Sequence, residues 1–117
     1  MNQKIPQIKK IEIGSSLYDV EYVNGIRDDY GKALSGRIWL AHHLVKIDKN
    51  ASYQTMLQVI HHEATHGIMW EYAIEDTKDS DLVTPISNGM YAFIINNPEY
   101  VREVLRYTEK IKGVKKI

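Results

Sequence analysis

A chain of 117 residues, 44% hydrophobic and 26% charged, suffices for one globular domain with a real core, and not for a second. Its 15 basic and 15 acidic side chains cancel, which excludes the strong positive field that draws a protein to nucleic acid or an anionic membrane. It has no cysteine; disulfides, a thiol nucleophile and sulfur-ligated zinc are excluded, and any metal must be held by nitrogen and oxygen.

The opening MNQKIPQIKK lacks an apolar run of signal-peptide length. No segment approaches the roughly 20 apolar residues of a membrane span. The expected location is therefore the cytoplasm of the producing or host cell. From Ile8 to Ile13 apolar and polar residues alternate, Gly14-Ser15-Ser16 offers a turn, and Tyr18, Val20 and Tyr22 keep the period of two. That pattern predicts a β-hairpin. Asn24-Gly25 ends it, and 24 to 36 is a polar loop with three glycines. Arg37 to Asp48 predicts a second strand pair or one bent strand, with Ala41-His42-His43 near the bend. Asn50 or Ser52 then caps a helix.

No proline interrupts the stretch from Tyr53 to about Glu75, and Leu57, Ile60, Ala64 and Ile68 recur at helical spacing. This is the longest predicted helix. Thr84-Pro85 reads as a cap with proline in the first turn, although the helix has room to begin near Ser80. Ile86, Met90, Phe93 and Ile94 form its apolar face. Asn97-Pro98 repeats the device before a final amphipathic helix, Glu99 to Lys112. Strands followed by helices predict an α+β domain spanning 1–117: N-terminal antiparallel hairpins form a small sheet packed on three C-terminal helices.

The longest helix carries VIHHEATHGI, with three of the chain's five histidines. His62-Glu63-Ala64-Thr65-His66 is an H-E-x-x-H pattern. In a helix, positions i and i+4 lie one above the other, so both imidazoles reach a single ion. Glu63 is turned about 100° from His62, a poor place for a ligand and a good one for a base. Zinc lowers the pKa of a water to roughly 7, and a neighbouring carboxylate takes its proton as the water attacks a carbonyl. The competing explanation is a satisfied structural histidine pair. About 0.014 matches are expected by chance in this composition, and the central position in a predicted helix favours a metal site. Gly67, which costs about 1 kcal/mol in a helix interior, implies close packing at the motif. His61 points away from His62 and reads as a packing or supporting residue. If that stretch is a strand, His42 and His43 fall on opposite faces and do not share an ion. Trp70 and Tyr72 read as core aromatics, and Lys110, Lys112, Lys115 and Lys116 as a solvated tail complementing a helix C-terminus.

A catalytic zinc has three protein ligands and an open position. No histidine follows His66, so the third ligand is expected to be a carboxylate. Glu71 lies about 140° from the His66 face, and Glu75 and Asp76 stand where the chain leaves the helix. Asp79 and Asp81 stand at the entrance of the next helix, which can fold back across the site. If that helix begins by Ser80, then Asp81, Thr84, Asn88 and Tyr91 share one face. Asp81 is the first choice and Asp79 the second.

The runs Gly36-Arg37-Ile38 and Ile47-Asp48, then Gln54-Thr55-Met56-Leu57 and His61 to Ile68, then Ser87-Asn88-Gly89-Met90-Tyr91 and Asn97-Pro98-Glu99 resemble small phage and prophage zincin-like proteins. These are similar to the ImmA/IrrE metallopeptidases, whose known members cleave or control repressors. The resemblance spans residues 36 to 102, with the H-E-x-x-H as its specific element. It implies a minimal zincin-like fold, His62 and His66 as zinc ligands and Glu63 as general base. It further implies a cytoplasmic enzyme of a bacterium or phage-infected host, acting on a protein or peptide such as a repressor. The family's third ligand is a glutamate three residues before an Ala-Asn pair on the following helix. Here Ser87-Asn88 forms the pair and Thr84 replaces the glutamate; Asp81, one turn earlier, is the substitute.

The leading expectation is a zinc peptidase acting on a protein partner, with no nucleic acid and no membrane involved. The alternative is a non-catalytic, zinc-containing protein-binding module. For the peptidase, the Arg37 to Asp48 strands are expected to offer an edge to which an extended peptide adds as a further strand, unless the N-terminal hairpin covers it.

Overall fold

The computed structural model describes residues 4–74 and 83–112. The fold is α+β, as the order of the elements predicts. Strands β1 (Lys10–Ile13) and β2 (Ser16–Val23) form the expected hairpin, with Ile13 opposite Ser16. The two-residue turn between them needs a positive φ at its first position, and Gly14 supplies it at 61°. Loop 24 to 36 is more ordered than expected: β3 (Ile26–Arg27) and β4 (Ala33–Leu34) pair within it as a small separate ribbon.

The second strand pair is β5 (Gly36–Trp39) and β6 (Leu44–Asp48), antiparallel and joined by a short 3-10 turn, Leu40–His42. His43 adopts a left-handed conformation, φ 51°, and stacks on Tyr18 with ring centroids 4.8 Å apart. His42 and His43 are therefore not strand neighbours on opposite faces. The two antiparallel pairs meet in a parallel one: β6 lies alongside β2, and the sheet order is β1-β2-β6-β5. Ile11, Ile13, Tyr18, Val20, Val45 and Ile47, alternate residues of β1, β2 and β6, are buried on one face.

Against that face packs helix α1 (Tyr53–Glu71), through Met56, Leu57, Ile60, Ala64 and Ile68. Of the two cap candidates it is Ser52 whose hydroxyl accepts from the Thr55 N–H, at 3.1 Å. The helix stops about four residues short of the expected Glu75. Ala73 turns left-handed (φ 53°), its N–H bonding to Trp70 O and the Ile74 N–H to Met69 O. This is the Schellman arrangement, with alanine at the position usually held by glycine. Trp70 is 59% exposed rather than in the core, whereas Tyr72 does pack against it.

Helix α2 (Val83–Asn96) crosses α1 closely at Gly89, where a Cβ would collide with Ile68. Phe93 is buried and Ile94, expected on the same apolar face, is exposed. Helix α3 (Pro98–Lys112) begins with proline as predicted. The Asn97 side chain, however, does not cap it. Its Oδ1 accepts from the Glu12 N–H and its Nδ2 donates to the Glu12 and Phe93 carbonyls, each at 2.8 Å. One buried amide thus stands in for a fifth strand and closes the β1 edge. No helix among the described residues is long and apolar enough to cross a membrane.

Candidate metal centre

His62 and His66 project from α1 into solvent with their Nε2 atoms 3.2 Å apart and rings edge to face. Two imidazole nitrogens at zinc distance in a tetrahedral arrangement stand roughly 3.3 Å apart, so the separation of this pair matches that of two ligands to one ion. The two nitrogens are within hydrogen-bond distance of each other, and the His62 side chain is 69% exposed.

Glu63 does the opposite. It is 6% exposed, with its Oε2 4.0 Å from His62 Nε2, and the main chain of Ile38 lies close enough to favour its charged form. Burial raises its pKa above the usual carboxylate range, while the two imidazoles and the Ile38 contact pull it back. A carboxylate buried with so little support is costly, and such groups concentrate at functional sites.

Glycines make this burial possible. Strand β5 runs along α1 in close contact, since a Cβ on Gly36 would collide with Val59. A Cβ on Gly67 would come within 2.7 Å of Ile13 Cδ1 and 3.4 Å of Ile38 Cδ1, which accounts for a glycine inside the motif helix. The Asp48 N–H bonds to Ser35 O, and this sets the phase of the ladder. Ser35, Arg37 and Trp39 face β6, while the main-chain groups of Gly36 and Ile38 face outward. Glu63 therefore meets the one edge of the sheet that Asn97 does not close. The N-terminal hairpin lies on the far side of β6 and does not cover it.

The remaining candidates are dispersed. The Glu71 carboxylate accepts from Ser16 Oγ at 2.7 Å and Tyr18 Oη at 3.0 Å, which ties the end of α1 to the hairpin; burial first, and this carboxylate second, raise the Tyr18 phenol well above its ordinary pKa. His61 lines a groove between α1 and α3 beside Tyr100 and Val104. Asp81, the expected third ligand, lies outside the described residues, as do Asp79, Glu75 and Asp76. Among the described residues no third imidazole or carboxylate completes a three-ligand cluster. Sequence reasoning missed two features of the site: the Ile38 main chain and the exposed Trp70. Trp70 had a legible signal, because 62, 66 and 70 form one i, i+4, i+8 stripe. Compared with known proteins, the chain matches no family model, no curated protein and no solved structure.

Proposed function

We propose that this chain is a zinc-dependent peptidase that hydrolyses a peptide bond in a protein partner, and that it works in the cytoplasm of a bacterium or phage-infected host. The observation that carries the reading is the pairing of an exposed, converged His62–His66 with a buried Glu63 at an open strand edge. His62 and His66 would hold the zinc, with Asp81 as third ligand. When bound, zinc would polarise the scissile carbonyl and acidify the attacking water.

Glu63 takes the proton from water as its oxygen bonds to the carbonyl carbon. That proton then passes to the departing amine nitrogen as the C–N bond breaks, so one water is consumed and a carboxylic acid and an amine are released. The upward pull of burial on the Glu63 pKa suits both halves of this exchange near neutral pH. The Ile38 contact aims the carboxylate, and the resemblance to ImmA/IrrE metallopeptidases suggests a repressor as partner.

The test is a panel of candidate partner proteins incubated with zinc-loaded and with chelator-treated protein. New N-termini, read by mass spectrometry, should appear with the zinc-loaded sample alone. Tight partner binding with zinc present and no new N-termini would favour the non-catalytic binding module instead.

A further inference from the structure

Beside His66 the surface opens into a groove of about 440 Å³ lined by Leu40, His66, Met69, Trp70, Ala73 and Ile74. Its walls are apolar apart from the histidine. Trp70 leaves 59% of its surface to solvent, a cost that a binding role would explain. Met69 beside it is an adaptable, polarisable wall.

The groove begins at Leu40, the residue that follows β5. Along β5, Gly36 sits at Val59, Ile38 at Glu63 and Gly67, and Leu40 just beyond the strand at His66 and Trp70. An extended peptide on this edge, with its reacting carbonyl abreast of Ile38, places a side chain about two residues along, roughly 7 Å away, over Leu40. A charged side chain there would lose its water to mainly apolar walls, with His66, a metal ligand in the peptidase reading, as the one polar side chain among the lining residues.

We propose that this groove is a specificity pocket for a bulky apolar side chain of an extended peptide substrate, within two residues of the bond to be cut. The peptide's being a substrate rests on the peptidase reading; the groove's preference rests on its own lining. Trp70 is its main contact, and Leu40 links it to the strand edge.

Binding, rather than turnover, tests it. Trp39→Phe leaves Trp70 as the sole tryptophan of the original two, and Glu63→Gln in the same protein keeps peptides intact. Acetylated, amidated octapeptides of one sequence, with Leu, Phe or Asp at a single position, are titrated with zinc in the buffer. The Leu and Phe peptides should shift Trp70 emission to the blue and bind about 10-fold or more tighter than the Asp peptide. Trp70→Ala in the Glu63→Gln background, titrated by calorimetry, should cost a similar factor in affinity. Unmoved Trp70 emission, or equal affinity for apolar and Asp peptides, would overturn the proposal whatever the cleavage assay shows. Apolar selectivity at Trp70 without hydrolysis by the wild type would leave the groove assigned and sink the peptidase reading alone.

Discussion

Glu63→Gln should lower peptide hydrolysis by about 10²-fold or more, the usual scale for losing a general base, while zinc content stays at the wild-type level. Glutamine keeps the size and the acceptor facing the Ile38 N–H but cannot take a proton from water. It is not expected to harm the fold. Glu63 is 6% exposed, with only the two imidazoles and the Ile38 main chain favouring its charge among the described residues, so replacing that charge removes a desolvation cost. The melting temperature should therefore hold or rise, which separates lost chemistry from lost structure. Equal rates for the two proteins at equal zinc occupancy would end the peptidase reading.

Asn97→Ala should have the largest effect on stability of any single polar substitution in the described fold. Its amide makes three hydrogen bonds at 2.8 Å, two of them to the Glu12 main chain across 85 positions of sequence. Alanine leaves a donor and two carbonyls unpaired at a site that is 8% exposed. The expected loss is about 2–3 kcal/mol, or roughly 8–12 °C in melting temperature for a chain this long. Asn97→Asp should recover only part of it, since aspartate restores the acceptor for Glu12 N–H and not the donor. Thermal unfolding by circular dichroism reads both variants, and a loss of less than about 2 °C for Asn97→Ala would show that water replaces the amide freely.

What was legible in the sequence follows from what local pattern encodes. Period-two alternation marked the strands of the first hairpin, and the buried 57-60-64-68 stripe marked α1. The i, i+4 spacing puts His62 and His66 on one face, and their nitrogens stand 3.2 Å apart. The parallel β2–β6 pairing was not legible, because it joins segments across the intervening β3–β5 region and no periodicity records a partner. The early end of α1 was hidden by chemistry: an alanine, not a glycine, takes the left-handed position. Asn97 looked like a cap because asparagine before proline usually is one; tertiary pairing with β1 took its side chain instead. Residue type alone points Trp70 to the core, whereas its spacing from His66 puts it on the exposed histidine stripe. The third ligand is the least legible part, since Thr84 stands where the resemblance calls for a glutamate and only helical phase points to Asp81.

Zinc content measured by elemental analysis on untagged protein tests the metal centre most directly. After dialysis against metal-free buffer, the wild type should retain about one zinc per chain, and His62→Ala and His66→Ala should each retain almost none while keeping their helical circular dichroism. Wild-type protein with no zinc above background, or the same zinc content in all three proteins, would contradict the account.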